Sequence, residues 1–347
     1  MASSTFALTL LRWFRDNGRQ MPWRETSDPY AIWLSEVILQ QTQVKQGWDY
    51  WQRFMRRWPT VEQLAQATED EVLREWQGLG YYSRARNLLV AARQVVQMGG
   101  FPCTLEGLRS LKGVGDYTAA AIASFAFGLP AAVVDGNVYR VLSRHFGIAT
   151  PINTTEGKHE FALLAQTLLP QDKEKSLPFG GRSVGASSYN QAIMDFGATQ
   201  CVPQSPRCDL CPLQETCVAR REGRVGELPV KLKKLKVKER RLDYVYIRCQ
   251  GFTAIHRRGP GDIWQGLWEP LLAKKAETLG DCGKLTWLTP HAPVRHVLTH
   301  QVLLANFYLL ETDVRPSLPP DYQWVTEEEL AHYALPRLIE RLLQLLP

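Results

Sequence analysis

The chain has 347 residues, 45% of them hydrophobic and 22% charged, with a net charge of +6 and seven cysteines. That length and apolar share suit a globular protein of two domains, or one large domain with an appendage. No run of about 20 apolar residues is present, so no membrane span is expected; residues 5–14 are apolar but short and broken by Arg12, unlike a signal peptide, and a soluble cytoplasmic protein is the expectation.

Phe6, Leu8, Leu10, Leu11, Trp13 and Phe14 outline an amphipathic first helix, which Met21-Pro22-Trp23 ends. Asp28-Pro29 opens a second, with proline in its first turn, and the sequence YAIWLSEVILQQTQV follows. Glu36 sits in the middle of it, sharing a face with Ile32, Leu39 and Gln40 and surrounded by Trp33, Leu34, Val37 and Ile38. A carboxylate there is either a helix-edge group reaching water or an acid whose pKa is raised by desolvation, able to donate a proton near neutral pH. Residues 47–76 read as helix, rich in Trp and Arg. Next come Gly78-Leu79-Gly80-Tyr81-Tyr82-Ser83-Arg84, an exposed turn with a stacking group at its tip. Leu79 or Tyr81 suits a wedge that enters a base stack, and a tyrosine packed on its own loop is the plainer alternative.

Residues 111–145 are the most informative. Gly113-Val114-Gly115 makes a tight turn that bares backbone N–H groups, and such a turn at a helix N-terminus binds phosphate without side chains. An Ala-rich buried helix is predicted over 116–127, stopped by Gly128 and Pro130. The apolar run 131–134 then delivers Asp135, and a second helix begins near Asn137, carrying Arg140 and Arg144. Taken alone, Gly-Val-Gly is an ordinary connecting turn and Asp135 an N-cap; together they are more specific. Residues 146–200 are helical again, apart from a Gly/Ser-rich loop over 172–188, and 189–198 (YNQAIMDFGA) form a short helix leading into the cysteines.

Cys201, Cys208, Cys211 and Cys217 have the spacing C-x6-C-x2-C-x5-C, with Arg207, Arg220 and Arg221 around them. Four thiolates hold either zinc or an iron–sulfur cluster, and disulfides do not suit a cytosolic chain of this size. Cys103, Cys249 and Cys282 read as ordinary buried thiols. Residues 231–241 (KLKKLKVKERR) hold seven basic residues and one acidic, which leaves 34 of each in the remaining chain. This strap is a solvated linker or a segment that lies on phosphates. Beyond it, 242–249 and 252–257 alternate like strands, and 294–311 reads as a hairpin or strand pair with Thr299-His300 inside an otherwise apolar run. Thr326 and Glu329 form a capping box opening a C-terminal helix, so the last 105 or so residues make an α+β domain.

WLSEVILQQTQV (33–44), GLGYYSRAR (78–86), GVGDYTAAAIAS (113–124), VVDGNVYRVLSR (133–144), NQAIMDFGA (190–198), the cysteine loop and IWQGLWEP (263–270) carry a resemblance over nearly the whole chain. The chain resembles the MutY-type adenine DNA glycosylases of the helix-hairpin-helix base-excision superfamily. The resemblance implies a mainly α catalytic region over 1–225, a six-helix barrel plus an iron–sulfur helical domain. It further implies a basic linker over 226–241 and a C-terminal α+β Nudix-like domain over 242–347 that reads 8-oxoguanine. By the same resemblance Glu36 protonates the flipped adenine, Asp135 stabilises or attacks the sugar cation, and Tyr117 and Asn137 support them. Gln41 and Tyr81 fill the duplex around the extruded base. Leu79, Gly113, Gly115, Thr299 and His300 join them as DNA contacts. One 4Fe-4S cluster on the four cysteines, a monomer, and duplex DNA with an A:8-oxoguanine or A:G mispair as partner complete the implication.

Two departures stand out. Lys112 replaces a proline common in the superfamily, and Leu298-Thr299-His300 stands where Phe-Ser-His is frequent. No Nudix hydrolase box is present, so pyrophosphatase activity is not expected. Three other readings remain: an endonuclease III-like glycosylase/lyase, which needs lysine where Tyr117 stands; a thymine–guanine mismatch glycosylase, which usually lacks a C-terminal domain; and a non-catalytic DNA-binding protein, which has no need of Glu36 and Asp135.

Overall fold

The computed structural model describes residues 2–40, 42–170, 185–232, 237–275 and 283–347. The chain divides into two compact units, one made of Met1–Trp51, Thr60–Glu62 and Ala91–Lys233, the other of Gln52–Pro59, Gln63–Val90 and Lys234–Pro347. The second unit therefore takes in a stretch of the N-terminal half that the sequence reading assigns to the first.

The helices in chain order are α1 (Ala2–Asn17), α2 (Pro29–Leu39), α3 (Val44–Arg57), α4 (Val61–Gln66), α5 (Glu69–Trp76), α6 (Ser83–Gln97), α7 (Leu105–Ser110), α8 (Asp116–Phe125), α9 (Gly136–Phe146), α10 (Thr155–Leu168), α11 (Ala186–Thr199) and α12 (Val218–Arg221). α2 starts where proline and a capping carboxylate predict. Asp28 accepts hydrogen bonds from the N–H groups of Tyr30 and Ala31 (3.0 and 3.3 Å), satisfying two of the donors a helix start leaves orphaned. Residues 30–38 are all buried. The helix does not continue through the polar 40–43 run, because Gln40 leaves helical geometry (φ −56°, ψ 109°) and α3 begins afresh at Val44. α8 packs on α2 and on α7; its buried Ala119, Ala120, Ala121 and Ala123 permit close approach. α11 lies against α1, α8 and α9. It opens at Ala186, so the last three residues of the expected 172–188 loop are helix; residues 172–184 of that loop lie outside the described ones. A side chain at Gly197 would put its Cβ 2.6 Å from the Cβ of Asn137, so α11 reaches the start of α9 only because that position is glycine.

The second unit is built on a mixed sheet of β1 (Lys238–Arg248), β2 (Phe252–Arg257), β3 (Trp268–Leu272), β4 (Lys284–Trp287), β5 (Val294–Val297), β6 (Gln301–Glu311) and β7 (Tyr322–Thr326), in the order β4-β6-β1-β3-β2-β7 with β5 also on β6. β1 and β6 pair in parallel from Lys238 opposite Gln301 to Arg248 opposite Glu311; the other pairs are antiparallel. Tyr244, Tyr246, Phe307 and Leu309 cover one face, against which Leu338, Ile339 and Leu342 of α13 (Arg337–Leu343) are buried. Two expectations change here. The Thr326/Glu329 box forms, with bonds of 2.9 and 3.0 Å, but it caps only a 3-10 turn over Glu329–His332. Pro336 then forces extended backbone, and the helix starts at Arg337. The basic run does not stay a linker to 241, since β1 begins at Lys238 and Arg240 is paired with Asp262 at 2.5 Å; its residues 233–236 lie outside the described ones.

Candidate active site

α2 carries Glu36 into the core of the first unit, where it is 7% exposed. Its Oε2 accepts the Tyr117 hydroxyl at 2.6 Å, which leaves Oε1 for a proton. Burial lifts the carboxyl to a pKa of about 7; Tyr117 pulls the other way, Asp135 adds to the rise and Arg24 opposes it. Burial likewise pushes the Tyr117 phenol well above 10, with the charges of Glu36 and Asp135 adding to it. Near pH 7 the phenol is therefore neutral, and a large share of the acid keeps its proton.

Asp135 is the N-cap of α9: Oδ1 accepts the Val138 N–H at 2.8 Å, and Oδ2 accepts Asn137 Nδ2 at 2.8 Å. The capping role and a place in the site coincide, because Asp135, Asn137, Glu36 and Tyr117 line one cleft of about 1800 Å3. Burial raises the Asp135 pKa, and the bonds from Val138 and Asn137 with the charge of Arg140 hold the rise down. From Asn137 a line of hydrogen bonds continues: Arg140 Nη2 donates to Asn137 Oδ1 (2.8 Å) and to the Gly197 carbonyl (2.7 Å), and its Nε to the Cys201 carbonyl (2.7 Å).

The turn before α8 has the expected geometry. Gly113 has φ 79°, a left-handed value that favours glycine. Gly115 caps α8 without a side chain, and nothing lies within 4 Å of where its Cβ would stand. The start of α8 is thus unobstructed at Gly115, the kind of place where a helix N-terminus receives an anion.

Cys201, Cys208, Cys211 and Cys217 line one small cavity of about 30 Å3 together with Arg144. Arg144, 3% exposed, donates to the carbonyls of Val202 (2.8 Å), Pro203 (2.9 Å) and Leu228 (3.0 Å), and lies 3.5 Å from Cys201 Sγ, so α9 anchors the loop. Burial raises the Cys201 thiol, and that of Cys211 to about 11. Among the described residues no three His, Cys, Asp or Glu side chains are set to share a single ion. Of the three remaining cysteines, Cys249 is buried as expected, but Cys103 is exposed, since it sits in the turn before α7; Cys282 lies outside the described residues.

In the second unit the 78–82 turn buries Leu79 and exposes Tyr81 (44%), which has φ 47°. Tyr81 alone of the two expected wedges can reach a ligand. Thr299 and His300 are exposed and occupy the turn between β5 and β6, closed by Leu298 N–H to Gln301 O at 2.8 Å. They are therefore not polar residues misplaced in a strand. The Tyr81 and Thr299 hydroxyls are hydrogen-bonded to each other across 218 residues of sequence. Gln41 lies outside the described residues.

One cluster escaped the sequence reading. Asp195 of α11, fully buried, accepts Arg19 Nε (2.9 Å) and both terminal nitrogens of Arg24 (2.8 Å each). Burial alone would raise its pKa, but the two arginines outweigh burial and hold it below 3.8. Arg19 and Arg24 line the same cleft. The signal was present, since Asp195 is an acid in an apolar helix as Glu36 is.

Residues 34–166 match the family described as HhH-GPD superfamily base excision DNA repair protein, and residues 243–345 match the NUDIX domain. The helical unit is thus that of a helix-hairpin-helix base-excision repair protein. An adenine DNA glycosylase of Rattus norvegicus is 43% identical over 240 residues, 65% of this chain and 44% of the relative. One of Buchnera aphidicola subsp. Schizaphis graminum is 32% identical over 271 residues, 77% of this chain and 75% of the relative. The structure of a thermostable thymine-DNA glycosylase superposes with a TM-score of 0.56 at 30% identity, over 63% of this chain and 97% of that one. The chain belongs to the adenine DNA glycosylase family. It spans less than half the length of the mammalian relatives it matches.

Proposed function

We propose that the protein hydrolyses the N-glycosidic bond of adenine mispaired with 8-oxoguanine or guanine in duplex DNA, leaving the strand uncut. The observation that carries this reading is the buried Glu36–Tyr117 pair beside Asp135 in one cleft. Adenine is a poor leaving group, so its departure needs a proton and an anion near the sugar cation that forms. Glu36 gives its proton to a ring nitrogen, the C1′–N bond breaks with its electron pair going to the base, and water forms the new C1′–O bond as its released proton passes to a carboxylate of the site, which restores the acid. As Glu36 becomes a carboxylate, the Tyr117 bond to it turns charge-assisted and strengthens, which favours the transition state over the ground state. Asp135, whose charged form is favoured by the hydrogen bonds from Val138 and Asn137, faces the cation. The cleft, about 1800 Å3, has room for an extruded nucleotide with its backbone. The test is a single-turnover assay on duplexes with A opposite 8-oxoguanine, A opposite G, and T opposite G. Release of adenine from the first two supports the reading; release of thymine alone, or of no base, overturns it.

Tyr117 occupies the place where a lyase needs a lysine, and a phenol forms no Schiff base. Borohydride should therefore trap no substantial covalent complex, and the product should be an intact abasic strand until alkali is added. Substantial trapping would contradict this.

The four cysteines are proposed to hold one 4Fe-4S cluster. Their four side chains line one hollow beside Arg144, which supports a single group held in common. The cluster would act as a staple that holds the basic loop, while Arg144 fixes the loop to α9.

Thr299 and His300 are proposed to meet 8-oxoguanine, with Tyr81 stacked beside it. Their exposed turn next to the Tyr81 hydroxyl supports this. Changing both to Ala should slow excision opposite 8-oxoguanine more than opposite G, by roughly 1–3 kcal/mol of discrimination. Both rates must be read at one salt concentration; equal losses would show only general DNA affinity.

A further inference from the structure

We propose that Gln40 and Thr118 are positioning residues: their hydrogen bond keeps Tyr117 on Glu36 while the Glu36 carboxyl changes its protonation state. The inference rests on the proposed role of Glu36 as proton donor. Gln40 Nε2 donates to Thr118 Oγ1 at 3.2 Å. Gln40, the C-cap of α2, stands four residues beyond Glu36, and Thr118 is the residue after Tyr117, so this bond and the Tyr117–Glu36 bond together tie the C-terminal end of α2 to the first turn of α8.

The buried residues of α2 and α8 are mostly apolar, and the hydroxyls of Ser35 and Ser124 donate to carbonyls of their own helices (2.7 and 2.8 Å). Apolar contact is non-directional, and small alanines leave little relief to resist sliding or rotation. The Tyr117–Glu36 bond cannot supply a constant restraint, because it is strong to a carboxylate and about half as strong to a neutral carboxyl. It is weakest in the protonated state that must bind substrate. The amide–hydroxyl bond joins two neutral groups and holds at any pH in the working range. Thr118 is 2% exposed, so its hydroxyl exchanges little with water. The charged and titratable groups around Glu36 are Tyr117 on α8, Asp135 at the start of α9 and Arg24 ahead of α2; neither Gln40 nor Thr118 titrates, and any effect they have on the carboxyl passes through geometry.

Thr118→Val keeps the branched shape and removes the acceptor. It should cost about 10-fold in single-turnover excision, less than the roughly 100-fold that a 1 Å misplacement can cost. The alkaline limb of its pH–rate profile should move to higher pH, because Tyr117 is what draws the Glu36 carboxyl down. Thr118→Ser, which keeps the acceptor, should restore the wild-type limb. In a Tyr117→Phe background Thr118→Val should add no further shift. The carbon-13 carboxyl signal of Glu36, titrated by NMR in the DNA-free full chain, should show the same pattern. A wild-type limb and a wild-type Glu36 titration in Thr118→Val, or an equal shift in the Tyr117→Phe background, would overturn the inference. If instead Glu36→Gln retains excision, the proton-donor reading fails, and the NMR titration still decides whether Thr118 holds the Tyr117–Glu36 pair.

Discussion

Glu36→Gln is expected to abolish base excision and to leave duplex binding largely intact. The amide keeps the volume of the side chain and still accepts from Tyr117, but it has no acid proton to give; losing a general acid removes about 10²–10⁴-fold in rate. Asp135→Asn should have an effect of the same order. Asparagine caps a helix as well as aspartate does, so α9 keeps its start while the anion beside the sugar is gone. Full single-turnover activity in either variant would refute the assignment. The Glu36 substitution has a second consequence. A carboxyl raised from 4.5 to about 7 by burial stabilises the fold fully below pH 4.5 and loses that contribution as pH rises through 7, a difference of roughly 3 kcal/mol. Glu36→Gln is neutral at every pH. It should raise Tm over the wild type at pH 8 and give no gain near pH 4.5; the same gain at both would mean that burial of the charge is not the cause.

The second large effect is expected at the cysteines. The wild-type protein should be brown and carry about four irons per chain, and any one of Cys201, Cys208, Cys211 or Cys217 changed to Ser should cut the folding yield severely. The segment between α11 and α12 contains only short 3-10 turns, over Cys208–Leu210 and Gln214–Thr216, with no residue in them buried. Leu213 is the buried apolar residue between them, and Arg144 holds the segment at its start, at Val202 and Pro203, and again beyond α12, at Leu228, so a ligand shared by the four cysteines would supply much of the folding free energy of the loop. One zinc per chain with no sulfide would refute the cluster, and normal yield in all four variants would refute its role as a staple.

What the sequence makes legible is what depends on near neighbours. The Asp28-Pro29 helix start, the glycine turn at 113–115, Asp135 ahead of α9 and the cysteine spacing are local, and each stands where the residues place it. The burial of Glu36 is not decided there: its apolar neighbours fit a helix-edge group reaching water as well as a desolvated acid, and only the packing of α2 into the core selects the second. What is missed joins distant segments. Asp195 meets Arg24 from 171 residues away, and Tyr81 meets Thr299 from 218 away; no periodicity encodes either. The parallel pairing of β1 with β6 depends on a register fixed only when both strands cover α13. The Thr326/Glu329 box misleads because a capping box specifies a first turn, not the length that follows, and Pro336 decides the length.

The pH dependence of single-turnover adenine release, measured on an A:8-oxoguanine duplex with enzyme in excess, bears most directly on Glu36 as a buried acid. With a carboxyl titrating at about 7, the rate should be high below neutrality and fall as pH rises through 7, since only the protonated form donates. It should fall again at acid pH, where Asp135, with its pKa raised above 3.8, loses its charge. A rate that stays level from pH 6 to pH 9 would contradict proton donation by Glu36.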